Sequence, residues 1–229
     1  MQPENKITTL LLDIGGVLLS NGWDPAFRRK AVENFHLDIA EMEYRHGLMF
    51  VTYEEGRISI DDYLDKVVFY TKRDFSYTEF KDFMYSFSKP DMEMIAFIKK
   101  IKHQYGLKVI AVSNEVRELN AYRIKTFNLT EIFDFFVSSC YVHLRKPDPA
   151  IFRLALDGVQ VPINEIIYID DVQIFVDVAT DFGIKSICHK DYISTAKALT
   201  QLGLITENIF PTNDGISSAN KLITLKSKK

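Results

Sequence analysis

Thr8-Thr9-Leu10-Leu11-Leu12-Asp13-Ile14-Gly15-Gly16-Val17-Leu18-Leu19 is the stretch that decides the fold of this chain. The apolar run reads as a buried strand. A strand that ends in a carboxylate, with two glycines close behind, serves a core poorly. It is well suited to presenting a nucleophile or metal ligand at the carboxyl edge of a parallel sheet, where open α/β folds bind their ligands. Taken alone, Asp13 could equally cap a turn. Three later segments weigh against that.

The first is Leu107-Lys108-Val109-Ile110-Ala111-Val112-Ser113-Asn114, an apolar strand ending in a small hydroxyl. The second is Arg145-Lys146-Pro147-Asp148-Pro149-Ala150-Ile151-Phe152, a basic loop stiffened by two prolines and opening into a helix. The third is Ile166-Ile167-Tyr168-Ile169-Asp170-Asp171, a strand ending in paired carboxylates. Strand candidates recur at 7–12, 107–112, 134–138, 165–169 and 185–188, with helical periodicity between most of them. This alternation predicts βα units and a parallel sheet with right-handed crossovers. Met94, Ile95, Phe97, Ile98 and Ile101 predict a helix before the second strand. Ile151, Leu154 and Ala155 predict one that stops at Gly158, and Phe175, Val176, Val178, Ala179 and Phe182 one that stops at Gly183.

The interval 20–88 breaks the alternation. Its apolar residues are helical in spacing and rich in aromatics (Phe27, Phe35, Tyr63, Tyr70, Phe80, Phe83, Phe87), and Ser59-Ile60-Asp61-Asp62 reads as a capping box. An aromatic stripe at that spacing predicts helix packing, not a cofactor box. The expected division is therefore an α/β core from 1–19 and 89–205, a helical domain at 20–88, and a tail at 206–229 whose lysines, Lys221 to Lys229, are solvated.

With 229 residues and 47% hydrophobic composition the chain can bury a core. A net charge of −3 makes no basic field and argues against a nucleic-acid partner. Cys140 and Cys188 are the only cysteines, a usage that fits reduced thiols in a cytoplasm. Glu4 ahead of the apolar run does not suit a signal peptide. No apolar stretch approaches the roughly 20 residues needed to cross a bilayer, so no membrane partner is expected. Oligomeric state is not legible.

The four segments, in this order, resemble the haloacid dehalogenase superfamily, and the resemblance runs from about Thr8 to Leu204. It implies a Rossmann-like parallel sheet core with an inserted α-helical cap domain. Tyr53-Glu54-Glu55-Gly56-Arg57-Ile58-Ser59 resembles the cap of the branch that holds the phosphatase domains of soluble epoxide hydrolases and bacterial sugar phosphatases. The commonest activity of the superfamily is Mg²⁺-dependent phosphoester hydrolysis. By that resemblance Asp13 is the nucleophile, Ser113 and Asn114 bind phosphoryl oxygens, and Lys146 clamps the phosphate and orients Asp13. Asp13, the backbone carbonyl of Gly15 and Asp170 hold the metal, with Asp171 as ligand or partner of one. The implied partner is a small phosphorylated substrate.

Two positions depart from the family pattern. Phosphatases of this superfamily usually carry a second aspartate two residues after the nucleophile, as acid for the leaving group. Here that position is Gly15. General acid–base catalysis is typically worth about 10²–10⁴-fold, so the absence leaves three readings open. The first is a phosphatase with a good leaving group or a surrogate acid, with Asp24, Glu115 and His46 as candidates. The second is a 2-haloacid dehalogenase, which needs no such acid but has no use for Asp170-Asp171. The third is a non-catalytic binding protein. The second departure is Phe175, where the family often has asparagine. Asn21, Trp23, Arg28 and Arg45 are candidate cap-side contacts.

Overall fold

The computed structural model describes residues 6–205, so the expected tail at 206–229 lies outside the described residues. Four helices fill the interval after the first strand: α1 (Pro25–Phe35), α2 (Ile39–Glu54), α3 (Ile60–Val67) and α4 (Tyr77–Ser86). Each starts at a side-chain cap, Asp24, Asp38, Ser59 and Ser76, which accepts a hydrogen bond from an otherwise unpaired backbone N–H of the first turn. The expected box at Ser59 and Asp62 is formed, and Ser76 with Glu79 makes a second.

The aromatic stripes turn toward one another. Phe35 lies 4.4 Å from Phe75 and 4.9 Å from Phe80 between ring centroids, and Tyr53 stacks on Tyr63 at 4.3 Å. These rings build a hydrophobic cluster of their own, and among the described residues Val116 and Leu119 are its only buried members from outside 20–88.

The rest alternates. The strands are β1 (Thr9–Leu12), β2 (Lys108–Ser113), β3 (Phe135–Ser138), β4 (Ile166–Asp170) and β5 (Lys185–Cys188). The helices that go with them are α5 (Met92–Tyr105), α6 (Arg117–Thr126), α7 (Ser139–Val142), α8 (Pro149–Val159), α9 (Gln173–Asp181) and α10 (Tyr192–Gln201). All strand pairings are parallel, in the order β3-β2-β1-β4-β5. Each strand lies within two residues of its expected bounds. The shift is toward the carboxyl end in β2 and β4, which takes Ser113 and Asp170 into the strands themselves.

Alternation of side chains sorts the sheet into two cores. Leu10 and Leu12 join Val109, Ala111, Ile167 and Ile169 on one face, where α5 and α10 cover them. Leu11 joins Ile110, Val112 and Tyr168 on the other, covered by α8 and α9. Each fully buried leucine or isoleucine here contributes about 1.5–3 kcal/mol.

One boundary corrects the sequence reading. Helix α8 passes through Gly158 and ends at Gln160, which takes the left-handed conformation (φ 53°) and returns its N–H to Leu156. Gly158 has open space around it, so its lack of a side chain answers no packing need. Among the described residues, no helix is long and apolar enough to cross a membrane.

Candidate active site

The strand order reverses between β1 and β4, and that switch point is where an open parallel sheet leaves a crevice at its carboxyl edge. Asp13 stands there, one residue past β1. Its N–H donates to the Ile169 carbonyl at 2.9 Å, which carries the β1–β4 ladder one step beyond the strand. Its Oδ1 accepts from the Ile14 N–H at 2.8 Å, and the Ser113 hydroxyl at the end of β2 hydrogen-bonds to the same carboxylate.

Asp170 ends β4 and is fully buried. Its Oδ1 accepts from the Val172 N–H at 2.8 Å. Its Oδ2 receives both the Lys146 ammonium at 2.5 Å and the Tyr168 hydroxyl. Lys146 comes from the loop between α7 and α8 and also reaches Asp13 Oδ1 at 3.2 Å. Burial works against the charge on Lys146, but Asp13 and Asp170 more than offset it and push its pKa up.

Asp171 turns the other way. Its Oδ2 accepts from the Asn21 amide at 3.4 Å, while Oδ1 is buried with no partner. Its approach depends on Gly16, whose φ of +71° suits glycine and whose Cβ, if present, would lie 2.1 Å from Asp171 Oδ2.

One oxygen from each of Asp13, Asp170 and Asp171 lies within 4.8 Å of the others. Against these three carboxylates stands one lysine. Burial raises the Asp13 pKa to about 7; Lys146 opposes the rise and the Asp170 charge adds to it. Burial likewise raises Asp171. Hard oxygen donors, excess negative charge and a buried oxygen without a partner fit Mg²⁺, which takes carboxylates and usually keeps several waters.

The other expected residues are distributed around this cluster. Asn114 spends its side-chain amide on the backbone of Lys146, donating to its carbonyl at 2.9 Å and accepting from its N–H at 2.8 Å. It therefore anchors the lysine loop, with one amide N–H left over. Phe175 lies with its ring 5.0 Å from Lys146 Nζ, a cation–π contact where the family pattern has an amide.

A cavity of about 360 Å³ opens from Asp13, and Asn21, Trp23 and Arg28 line it as expected. Arg45 does not: it binds Glu41 and the Lys66 carbonyl and stacks 3.8 Å from the Tyr70 ring, away from the cavity.

The three candidate acids also line the cavity, and each is committed elsewhere. Asp24 caps α1 through Oδ1. Glu115 is ion-paired at 2.7 Å with Arg123, both of them buried. Burial and the nearby Arg28 push the His46 pKa down to about 4, so its imidazole is neutral at neutral pH and a poor acid.

Sequence reasoning missed Glu54, a cavity-lining carboxyl whose pKa burial raises although Arg145 holds it at 2.5 Å. Its position at the last residue of α2 carries no local signal. Tyr168 could have been found: it lies two residues before Asp170 in a strand, hence on the same face.

This geometry agrees with what the chain is similar to. It is 30% identical over 132 residues to bifunctional epoxide hydrolase 2 of Rattus norvegicus, covering 55% of this chain and 22% of that protein. Less than a quarter of that relative's length is thus matched. A HAD family enzyme of Bacteroides thetaiotaomicron, solved with magnesium and inorganic phosphate, superposes with a TM-score of 0.68 at 23% identity, over 80% of this chain and 94% of the other. A predicted HAD-like hydrolase of Porphyromonas gingivalis gives 0.69 at 20% identity, over 87% and 99%. At these identities the two structures show the fold. Residues 7–173, which hold Asp13, Lys146, Asp170 and Asp171, match the family itself, and the chain belongs to the haloacid dehalogenase-like hydrolases.

Proposed function

We propose that the protein is a Mg²⁺-dependent phosphomonoesterase acting on a small phosphorylated metabolite, with α1–α4 as a cap over the carboxyl edge of the sheet. The observation that carries this reading is the trio Asp13, Asp170 and Asp171, with one buried oxygen unpartnered, closing around the Lys146–Asp13 contact. Asp13, Asp170 and Asp171, with the Gly15 carbonyl, would hold the ion. Bound there, Mg²⁺ supplies charge neutralisation for the transferring phosphoryl group. The magnesium and phosphate in the Bacteroides enzyme support the reading.

The chain's own residues do the rest. Lys146 and Ser113 hold the phosphoryl oxygens and the Asp13 carboxylate in line. Asp13 attacks phosphorus, its oxygen forming the new P–O bond as the ester oxygen departs with the old bonding pair, which leaves an aspartyl phosphate. Water then cleaves that anhydride and restores Asp13. With Gly15 in the acid position and His46 neutral, the departing oxygen gets little help with its proton. The substrates that suit this site have weakly basic leaving groups. A dehalogenase would use Asp13 but leave the pair Asp170-Asp171 without a metal to hold.

The test is hydrolysis of p-nitrophenyl phosphate with Mg²⁺ and with EDTA. Metal-dependent turnover supports the reading. EDTA-insensitive halide release from a 2-haloacid, with no phosphatase activity, would replace it by a dehalogenase.

A further inference from the structure

His46 sits on α2 in the cavity wall, with Phe50 one turn on at 4.6 Å between ring centroids. Its Nδ1 is 2.7 Å from the Tyr63 hydroxyl, and the Trp23 Nε1–H lies 2.9 Å from that same hydroxyl. The roles in this chain are forced. An indole N–H can only donate, so the Tyr63 oxygen accepts from Trp23. Tyr63 is fully buried, and among the described residues its own O–H has no acceptor besides His46 Nδ1. Were Nδ1 protonated, that hydroxyl hydrogen would be buried without a partner, at a cost of about 1–3 kcal/mol. Nδ1 is therefore the acceptor, and the ring proton is on Nε2, which has no partner among the described residues.

We infer that His46 is the specificity-determining donor of the cavity, its Nε2–H fixed by the Trp23–Tyr63 relay and offered to an oxygen acceptor on the organic part of the phosphoester. The surroundings agree. Arg28, held by Glu43 and the Trp23 carbonyl, adds positive charge nearby and disfavours both an imidazolium and a cationic substrate group. The wall beside it is apolar, with Trp23, Phe50, Val116 and Leu119. One directed donor in such a wall selects strongly, because a substrate lacking the acceptor leaves it unpaired.

The substrate half of this inference rests on the phosphoesterase reading, whereas the tautomer does not. Side-chain ¹⁵N correlation spectra of the full chain at pH 7 should show His46 with Nε2 protonated and Nδ1 bare, and Tyr63→Phe should mix the two tautomers. A protonated Nδ1 in the wild-type protein overturns the relay.

The kinetic arm compares 4-methylumbelliferyl phosphate, whose ring carries a carbonyl acceptor, with 1-naphthyl phosphate, which has none. His46→Leu should raise KM for the first by about three- to tenfold with kcat kept, the worth of one hydrogen bond, and leave the second unchanged. His46→Gln, which keeps an amide N–H donor, should recover part of the loss. Equal effects on both substrates, or none, overturn the specificity role. If the wild type turns over neither, the phosphoesterase reading fails and the specificity role falls with it, while the spectra still decide the tautomer.

Discussion

The two walls of the cavity are opposites in how their charges are arranged. On the sheet side, three carboxylates share one lysine and a buried Asp171 oxygen has no partner. On the helical side every charge is answered: Arg28 binds both Glu43 oxygens and a carbonyl, and Trp23, Tyr63 and His46 bond in sequence. An unfinished wall binds by charge and responds to ions. A finished wall binds by shape and by the single donor it leaves over. The chemistry should therefore break on the sheet side, and preference among substrates should change on the helical side.

The largest effect should come from Asp13→Asn, which keeps shape and removes the proposed nucleophile. Turnover of p-nitrophenyl phosphate should fall by on the order of 10³-fold or more. Folding should survive, because the substitution removes a carboxylate that burial already disfavours. Activity that persists in this variant would mean that the sheet wall is not the reactive one.

Next in size is a pair of substitutions that tests the contrast itself. Lys146→Met strands Asp170, which is fully buried, and Asp13, which is nearly so, and it should cost about 3–5 kcal/mol by urea unfolding in EDTA. Mg²⁺ should return part of that stability, since by the proposed reading it would bind the same oxygens. Arg28→Met frees Glu43, whose side chain is 36% exposed and can turn to water, so the cost should be nearer 1 kcal/mol and indifferent to Mg²⁺. Equal responses to the metal would erase the distinction between the walls.

Gly15→Asp restores the usual acid, but the structure limits what it can do. A Cβ at Gly15 would lie 3.3 Å from Asn21 Oδ1 and 3.9 Å from an Arg123 nitrogen. That guanidinium is buried and fixed by Glu115, Ser88 and the Ser20 and Asn21 carbonyls, so it would hold the new carboxylate ionised. Against the roughly 10²–10⁴-fold that general acids typically contribute, we expect only about tenfold, on alkyl phosphates and not on p-nitrophenyl phosphate. Steady-state kinetics on both substrates checks this. An equal gain on both would show that the proton is not what Gly15 withholds.

The same division explains what could be read from the chain. The sheet wall was legible because its carboxylates and Ser113 end a strand or follow one directly, and parallel strands bring such ends to one edge whatever lies between them; Lys146, from the α7–α8 loop, was legible from its two flanking prolines. Asp13, Ser113 and Asp170 are far apart in sequence and adjacent in the sheet for that reason alone. The helical wall was not legible. Periodicity showed that Tyr63 and Phe80 pack, but not that the Tyr63 hydroxyl would meet Trp23 and His46, because such contacts depend on how helices cross. Arg45 and His46 are neighbours in the chain, yet only His46 faces the cavity. Position on a helix decided it, and composition could not.

The smallest effect concerns stability and separates the walls by pH. The His46 imidazole has an ordinary pKa of 6.5 and is pushed down to about 4 in the folded protein, by burial first and by Arg28 second, with Glu43 opposing. Between those values the unfolded chain binds a proton that the folded chain refuses. Stability from this residue is therefore full above about pH 6.5 and is lost as pH falls toward 4. Between pH 7 and pH 5.5 the loss should be about 1 kcal/mol. His46→Gln has nothing to protonate, so its unfolding free energy should fall less over that interval, by the same amount. Asp13 on the opposite wall works with the contrary sign, since a raised carboxylate favours the folded state as pH falls, and Mg²⁺ should suppress that contribution while leaving the His46 slope untouched. Urea unfolding at both pH values, with Mg²⁺ and with EDTA, reads the two slopes apart. A His46→Gln protein with the wild-type slope would show that this imidazole is not held neutral by its surroundings.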